Sequence, residues 1–435
     1  MLAGGSASRL APLTARLPKC LLPVANRRLL ALQLELLVRA GFSEALVVVN
    51  EAHEDALTRY VGDAQWRAES AVLASAELTL QLLVVSDYTG SAGALLKAKD
   101  RLKAQHVLVL SADLALAPQE LHALLERHRA REAALTALLY EEKEEEGVKH
   151  GKERPLDLLG LEPKTQRFLW RASSNELDAS AERLELPRAL LKRFPSFALH
   201  TTLRDAHCYA LARWTLDLLE QRRELLQSVP RHFVPHVLAL QYKTRAQAAL
   251  TVPALVSAEA RAMSAKRGHE GDAVRCYALI AEGTVARATD LPSYLALSRA
   301  LAADALAPYT PSEPLSAGKQ RAHIATTALI DAATVVPSGC VIGEGTRVGA
   351  RVGVKRSVIG RHCVIGAGAK ILNSVLMDHV TVAEGARIHN SVLSANCYVE
   401  KEAELTDCVL GERCAVNAAL TLTKRKLDAN TQLPQ

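Results

Sequence analysis

Short apolar runs alternate with amphipathic stretches through the larger, N-terminal part of the chain. Each apolar run has the length of a buried parallel strand. The stretches between them carry apolar residues at helical spacing, and Gly41 follows the first helix where a helix would end. The alternation predicts an α/β domain with a mostly parallel sheet and helices on both faces. The predicted strands are Ala45–Asn50, Leu78–Val85, His106–Leu110, Ala134–Tyr140, Leu203–Leu211 and Val274–Ile280, and the predicted helices are Arg28–Ala40, Asp55–Val61, Thr89–Leu102, Pro118–Arg131, Leu216–Gln227, His232–Tyr242 and Leu291–Leu306.

A different period governs the C-terminal part, where an aliphatic residue recurs every six positions with a step of five about every third time. A longer period of seventeen residues brings Ser357, Ser374, Ser391 and Cys408 into equivalent places. Three short strands per coil, with inward aliphatic side chains stacked between coils, form a triangular prism. The pattern therefore predicts a left-handed parallel β-helix of hexapeptide repeats. The inward positions are Ile330, Val336, Ile342, Val348, Val354, Ile359, Ile365, Ile371, Leu376, Val382, Ile388, Leu393, Val399, Leu405, Leu410 and Val416, and the corner glycines are Gly343, Gly345, Gly360, Gly366, Gly368 and Gly385.

The two patterns divide the chain into predicted segments. Residues 1–242 form the α/β domain, and residues 243–325 form a linker with a closing strand and helix. The β-helix covers 326–423, and a polar tail covers 424–435.

Composition and charge narrow the classes of function. The chain has 435 residues and a formal net charge of +6, and its basic residues are scattered and not interleaved with aromatic ones. We therefore predict no direct nucleic-acid contact. No apolar run reaches the roughly 18 residues of a membrane span, so no membrane contact is predicted. Eight cysteines without CxxC pairs are typical of free buried thiols in a reducing compartment, which favours the cytosol.

The N-terminal segment contains the first candidate binding residues. Small residues around Gly5 and Ser8 let a loop expose consecutive backbone N–H groups, and Arg9 and Lys19 add positive charge. Together these features suit the phosphates of a nucleotide. The alternative interpretation is a tight surface turn. Only Met1–Ala3 precede the glycines, so either the first strand of the sheet is truncated or the gene model lacks residues there.

Two acidic residues follow or end predicted strands. Asp113 comes directly after His106–Leu110, and ligands of parallel sheets bind beyond such strand ends. Asp113 and Asp205 together would supply two carboxylates to a metal ion that binds the phosphates of a nucleotide. The alternative is a loop aspartate and a strand-end aspartate, with His207 as a packed histidine.

These segments resemble the sugar-phosphate nucleotidyltransferases. Ser8-Arg9-Leu10 and Leu17-Pro18-Lys19-Cys20-Leu21-Leu22-Pro23-Val24 match the family's phosphate-binding motif, and Asp113 stands where the family has its metal-binding aspartate. Gly90-Ser91-Ala92 resembles the family's segment that faces the base or sugar. The alternative interpretation of these residues is a plain helix N-cap. The resemblance implies a nucleotide or sugar-nucleotide pocket at Gly5, Ser8, Arg9, Lys19, Gly90 and Asp113, with Asp113 and Asp205 as metal ligands.

The chain departs from that family at two points. Ala7 replaces the motif's third glycine, and a Cβ at a positive-φ position costs about 1 kcal/mol. The family's Glu-Lys-Pro motif, whose lysine holds the sugar phosphate, is missing; the nearest string, Glu162-Pro163-Lys164, has the order scrambled. These departures imply a vestigial pocket and a protein that requires no cofactor.

Two further strings, Asp205-Ala206-His207-Cys208-Tyr209 and Val274-Arg275-Cys276-Tyr277, resemble the gamma-subunit family of eukaryotic translation initiation factor 2B. The resemblance covers almost the whole chain. It implies a Rossmann-like nucleotidyltransferase domain followed by a left-handed parallel β-helix. It also implies a non-catalytic, cytosolic subunit of a guanine-nucleotide exchange factor. The implied partners are the epsilon, alpha, beta and delta subunits and initiation factor 2, with exchange performed by a helical domain on epsilon.

Two alternatives remain open at this point. One is a working sugar-1-phosphate nucleotidyltransferase, similar to GDP-mannose or ADP-glucose pyrophosphorylase, for which the missing motif parts are an obstacle. The other is an acyltransferase that uses a histidine of the prism, such as His362, His379 or His389. No loop insertion surrounds these histidines, and the N-terminal domain would have no role in that reaction.

Overall fold

The computed structural model describes residues 1–5, 7–86, 90–141, 157–173, 184–242, 274–303 and 322–433. Most of the predicted linker 243–325 therefore lies outside the described residues. The helices are α1 (Leu29–Arg39), α2 (Glu54–Gly62), α3 (Ala71–Ala74), α4 (Gly90–Lys97), α5 (Pro118–Ala130), α6 (Arg188–Arg193), α7 (Trp214–Gln221), α8 (Val234–Ala239) and α9 (Leu291–Ala302). The strands before the prism are β1 (Pro23–Val24), β2 (Arg27–Arg28), β3 (Glu44–Asn50), β4 (Thr79–Val85), β5 (His106–Leu110), β6 (Leu114–Leu116), β7 (Leu135–Glu141), β8 (Asp157–Leu161), β9 (Phe168–Ser173), β10 (Ala198–His200), β11 (Leu203–Ala212), β12 (Cys276–Ile280) and β13 (Val285–Arg287).

One mixed sheet organises the α/β part, with strands in the order β4, β3, Met1–Ala3, β5, β11, β7 and β12. Met1–Ala3 fill the gap between β3 and β5: the backbone N–H groups of Leu2 and Ala3 donate to Leu110 and Val48, each at 2.8 Å. Strand β11 is antiparallel to β5 and β7, whereas β3–β4 and β7–β12 are parallel pairs. The predicted mostly parallel sheet is confirmed, with β11 as its reversed strand.

Helices cover both faces of this sheet, as alternate residues of its strands show. On β7, Leu138 belongs to a core cluster that includes α1, α5 and α9, whereas Leu139 belongs to a second cluster with α4, α7 and α8. The smaller sheets are the hairpin β1–β2, the antiparallel β8–β9–β10 and the pair β6–β13. Within the described ranges, no helix combines the length and apolar character needed to cross a bilayer.

Four predicted helices differ from the observed ones. The predicted Thr89–Leu102 ends at Lys97 and is followed by a 3-10 turn, Lys99–Arg101. The predicted Leu291–Leu306 ends at Ala302, and residues 304–306 lie outside the described ones. The predicted Leu216–Gln227 ends at Gln221, because the following segment packs against α4, where the Gln227 carbonyl accepts the Ala92 N–H at 3.1 Å. The predicted His232–Tyr242 is a π-helical turn at Val229–Phe233 followed by the short helix α8.

The C-terminal part is a parallel β-helix made of three sheets. The first contains β14 (His323–Ile324), β16 (Val341–Ile342), β19 (Val358–Ile359), β22 (Val375–Leu376), β25 (Val392–Leu393), β28 (Val409–Leu410) and β31 (Lys426–Leu427). The second contains β15 (Leu329–Ile330), β17 (Arg347–Val348), β20 (Val364–Ile365), β23 (Thr381–Val382), β26 (Tyr398–Val399) and β29 (Ala415–Val416). The third contains β18 (Gly353–Lys355), β21 (Lys370–Leu372), β24 (Arg387–His389), β27 (Glu404–Thr406) and β30 (Thr421–Thr423).

The prism confirms the predicted repeat. The predicted inward residues from Ile342 to Val416 are buried in one cluster, and Ile330 and Val336 pack against it half-buried. Backbone N–H groups of Ser374 and Ser391 donate to Ser357 Oγ and Ser374 Oγ, each at 3.1 Å and across 17 residues. All eight cysteines are buried and free, as predicted.

The outward residues give the three prism faces different characters. On the first sheet, which we call the docked face, outward valines join the core cluster of α1 and α9; they are Val341, Val358, Val375, Val392 and Val409. On the second sheet, the open face, Val364 and Tyr398 are 46% and 45% exposed. On the third, the charged face, Arg387 Nη1 lies 2.5 Å from Glu404 Oε1. The docked face therefore fuses the prism to the α/β part through one continuous core.

Candidate functional site

A cavity of about 200 Å³ opens at the carboxyl ends of β3 and β5, where ligands of α/β sheets bind. The backbone of Gly4 and Gly5 forms one wall, and Ser91 at the start of α4 lies on another. Lys19 and Asp113 also line it, together with His207 from β11. The sheet topology therefore gathers segments that are far apart in sequence around one pocket.

The N-terminal loop reaches this pocket with only part of its predicted residues. Gly5 and Lys19 line the cavity, whereas Ser8 and Arg9 are exposed and do not. Ala7 has a φ of 49°, so the alanine at the position of the family's third glycine does adopt the left-handed conformation. A short 3-10 helix, Ser8–Leu10, follows at once and turns Arg9 towards solvent.

Asp113 is held by two cations, Lys19, which was predicted only as a pocket residue, and Arg287, which was not predicted. Lys19 Nζ lies 2.6 Å from Asp113 Oδ2, and Arg287 of β13 places Nη2 3.0 Å from the same oxygen. Ser111 Oγ donates to Asp113 Oδ1 at 2.7 Å. Burial alone would raise the pKa of Asp113, but Arg287 and Lys19 hold that pKa well below its usual range. We call Lys19, Asp113, Arg287 and Ser111 the ion group.

The two cations of the ion group respond differently to burial. Burial lowers the pKa of Lys19 from its ordinary value, although the Asp113 carboxylate opposes the shift. Burial also disfavours a charged Arg287, but Asp113 outweighs it and raises the pKa of that guanidinium. The group thus carries two positive charges and one negative charge beside the cavity.

Asp205 lies in a separate network. Its Oδ2 accepts from Tyr209 Oη at 2.5 Å and lies 3.2 Å from Arg171 Nη1, while its Oδ1 accepts from the His207 backbone N–H at 2.7 Å. Burial raises the pKa of Asp205, although Arg171 opposes the shift. A register shift of β11 between Asp205 and Tyr209 accounts for this local geometry.

The same irregularity gives His207 its place at the cavity. His207 has a φ of 54°, and its ring stacks on Tyr209 with centroids 6.4 Å apart. Burial, with the Arg287 and Arg171 charges, lowers the pKa of His207 well below its ordinary value. The Asp-Ala-His-Cys-Tyr string is therefore a bulge that directs Asp205 to Arg171 and brings His207 to the pocket.

Gly90 supports the pocket from behind and does not line it. Its φ is 79°, and a Cβ added there would meet the Gln227 carbonyl oxygen at 2.2 Å. The next residue, Ser91, lines the cavity, and its Oγ accepts the Val229 N–H at 2.9 Å. Gly90 is thus needed for the close approach of two backbone segments.

As arranged, the acidic residues do not fit a divalent cation. Both carboxylate oxygens of Asp113 are engaged within the ion group, and both of Asp205 are engaged by Tyr209, Arg171 and His207. A hard cation needs free oxygen ligands and would face the nearby charges of Lys19 and Arg287. Among the residues that the structure describes, no cluster of three or more His, Cys, Asp or Glu side chains is placed to hold a metal.

Sequence reasoning missed Arg287 and Arg171. Arg287 is 174 residues from Asp113, and Arg171 lies on β9, in a part of the chain to which no motif pointed. The only available signal was a general one, because a buried carboxylate requires a cation from somewhere in the fold.

Comparison with known proteins places this site in context. A family model described as "Nucleotidyl transferase" matches residues 1–152, and one described as "EIF2B subunit epsilon LbH domain" matches residues 319–422. Translation initiation factor eIF2B subunit gamma of Dictyostelium discoideum is 29% identical over 383 residues, which cover 81% of this chain and 83% of the relative. The chain is a homologue of the eIF2B gamma subunits.

Two further gamma subunits support this relation. That of Schizosaccharomyces pombe is 26% identical over 354 residues, or 79% of this chain and 70% of its own. That of Caenorhabditis elegans is 24% identical over 246 residues, or 56% of this chain and 58% of its own. The resemblance to eIF2B gamma and the predicted order of a nucleotidyltransferase domain and a β-helix are therefore confirmed, and the sugar-nucleotidyltransferase alternative is not favoured.

Proposed function

We propose that this chain is the gamma-type, non-catalytic subunit of an eIF2B guanine-nucleotide exchange factor and acts in the cytosol. The observation that carries the proposal is the similarity to gamma subunits across both the α/β part and the β-helix. In this role the chain pairs with the epsilon subunit and joins the alpha, beta and delta subunits. It helps to bind initiation factor 2, while the exchange reaction belongs to epsilon.

The ion group supports the non-catalytic part of this proposal. Nucleotidyl transfer needs a phosphate cradle and a cation that neutralises the leaving pyrophosphate. Here Lys19 and Asp113 satisfy each other, and Arg287 adds a second bond to the carboxylate. The cost of separating a buried ion pair works against their use on a substrate.

The test is purification of the tagged chain from its own cell extract, followed by identification of the proteins that co-elute. We expect the epsilon, alpha, beta and delta subunits and initiation factor 2. The same tag on an unrelated cytosolic protein is the control. A lone homo-oligomer that releases pyrophosphate from a nucleoside triphosphate and a sugar 1-phosphate would contradict the proposal and support the enzyme.

The pocket itself is a candidate sensing site for a nucleotide or sugar nucleotide, without being required for the subunit role. Binding would use the backbone of Gly4 and Gly5 and the cationic side of the ion group. Calorimetry with GTP, ATP and sugar nucleotides, with and without Mg²⁺, tests it. We expect weak heat that Lys19→Ala removes and that Lys370→Ala, on the charged face, leaves unchanged; the absence of heat in the unmodified protein rejects this site.

A further inference from the structure

A second cavity, of about 260 Å³, lies between the N-terminal segment and the prism. We call it the junction cavity. One side is formed by residues 12–17 and the β1–β2 hairpin, and the other by one corner of successive prism coils, including Arg361, Asp378 and Glu412. It lies outside the pocket described above, because the two cavities have no lining residue in common.

Part of the wall of the junction cavity is apolar. Pro12 and Leu13 of the N-terminal segment are buried, and Met377 of the prism is only 6% exposed. Pro23 and Ala395 complete this part of the wall. A surface of this kind favours the hydrocarbon portion of a ligand, because its contact with the wall removes apolar area from water.

The acidic groups of the cavity each contact a donor, which is a cation for Glu69 and Glu412 and a backbone N–H for Asp378. Glu69 pairs with Arg28, with Oε1 3.5 Å from Nε. Asp378 Oδ1 accepts the backbone N–H of Arg361 at 2.8 Å. Glu412 Oε1 lies 3.5 Å from the Nε of Arg413.

Three donor groups of the cavity, on Arg16, Arg361 and Ser394, lack such partners among the residues that the structure describes. Within the described ranges, the guanidinium groups of half-buried Arg361 and exposed Arg16 have no hydrogen-bond or ion-pair partner. Ser394 is 5% exposed, and its hydroxyl also finds no hydrogen-bond partner in the described structure. The wall therefore combines apolar contact area with unused donors, a combination that fits a negatively charged head group on an apolar body.

We propose that the junction cavity binds a small organic monoanion, with an aliphatic body on the Leu13 and Met377 wall and a carboxylate on Arg361. The volume is slightly below that of typical small-molecule pockets, so the ligand class is limited to short chains or single rings. A bound ligand would touch the N-terminal segment and the prism together. The proposal does not depend on the subunit role, because binding is measured on the purified chain.

The test is calorimetry on the full-length chain with octanoate as the probe and 1-octanol as its uncharged match. We expect octanoate to bind at one site and at least about tenfold more tightly than octanol, since a hydrogen-bonded ion pair adds this much or more. Arg361→Ala removes that advantage, and Arg361→Lys restores part of it. Arg347→Ala, an exposed arginine on the open face, leaves octanoate binding unchanged.

A cavity-filling variant, Ala395→Phe, provides an independent measurement, and we expect it to abolish binding of both probes. Circular dichroism and thermal unfolding establish that each variant is folded before its binding is compared. The proposal is overturned if octanoate does not bind the unmodified chain or binds no better than octanol. It is equally overturned if folded Arg361→Ala and Ala395→Phe variants bind octanoate as tightly as the unmodified chain.

Discussion

The prism and the ion group obtain their contacts in opposite ways. In the prism, Ser374 bonds to Ser357, its counterpart 17 residues earlier, and the same step recurs at Ser391. In the ion group, Asp113 meets Lys19 across 94 residues and Arg287 across 174. The first kind of contact repeats along the chain, whereas the second exists once and depends on the completed fold.

This difference separates two sources of stability. A prism coil is stabilised by its neighbours through many equivalent contacts, so a change at an outward position matters only where something covers that position. The ion group concentrates three charges in one buried place, so the loss of its one negative charge leaves both positive charges unpaired. The predictions below test this contrast from the largest expected effect to the smallest.

The largest effect is expected on the docked face. Val375→Asp would bury an unpaired carboxylate where the side chain is 2% exposed, and should lower the free energy of unfolding by about 4 kcal/mol or more. Its matched control is Val364→Asp on the open face, where 46% exposure should keep the loss within about 0.5 kcal/mol. Denaturant unfolding measures both; equal losses would show that the docked face is not buried.

The second largest loss of stability is expected in the ion group. Asp113→Asn leaves Lys19 and Arg287 without their shared carboxylate, and we expect a loss of about 3 to 4 kcal/mol in unfolding free energy. The control is Glu384→Gln, which breaks the exposed prism pair with Lys401 and should cost no more than about 0.5 kcal/mol. An Asp113→Asn protein as stable as the unmodified chain would show that the ion group does not contribute to stability.

A third effect depends on pH and on a buried histidine pair of the α/β part. His128 is 1% exposed, with Nε2 3.0 Å from His106 Nδ1 and Nδ1 3.0 Å from Thr136 Oγ1. Burial, with the His106 and Arg129 charges, lowers the pKa of His128 from 6.5 to about 4. Because the unfolded chain takes up this proton first, the contribution to stability is complete above pH 6.5 and is lost as the pH falls to about 4.

The loss should reach about 3 kcal/mol by pH 4, because a difference of one between the folded and unfolded pKa values corresponds to about 1.4 kcal/mol. Unfolding measured at several pH values should give this slope, and His128→Gln should flatten it. His389→Gln, on the exposed charged face, is the matched control and should keep the slope of the unmodified chain. A slope that survives His128→Gln would assign the pH dependence to other groups.

The smallest effect concerns backbone conformation and should be similar in both regions. Ala7 and Ala419 have φ values of 49° and 55°, where a Cβ costs about 1 kcal/mol. Ala7→Gly and Ala419→Gly should therefore each raise the midpoint of thermal unfolding, with a gain of up to about 1 kcal/mol. Ala31→Gly, in the buried helix α1, should instead lose about that amount or more.

The same contrast explains what the sequence allowed us to predict. The sequence predicts Ile371 and Leu376 in the prism core, because the spacing of aliphatic residues in the sequence equals the spacing of inward positions in the prism. Strands β3 and β5 followed from short apolar runs, and β4 from a run that only Thr79 and Gln81 interrupt. The prediction made helix α7 too long, because the Gln227 carbonyl bonds to the Ala92 N–H of α4 and the chain leaves the helix before that contact.

At the site, the sequence identified segments better than contacts. Asp113 and Lys19 were expected near one pocket, and the structure brings them together, but as an ion pair that no spacing rule anticipates. Arg9 belongs to the predicted phosphate-binding motif, and its side chain nevertheless faces solvent. The pairing of β13 with β6, which sets Arg287 opposite Leu114 beside Asp113, depends on the whole topology, so Arg287 could be found only in the folded chain.

The docked face also has a consequence for biosynthesis. Ribosomes produce the chain from its N-terminus, so Leu22, Val24 and Tyr294 emerge well before the outward valines that complete their shared core. Until the last coils have been made, this apolar surface stays uncovered in the nascent polypeptide. The α/β part thus depends on late-made residues to finish folding, and chaperones that shield hydrophobic patches would act on it during that interval.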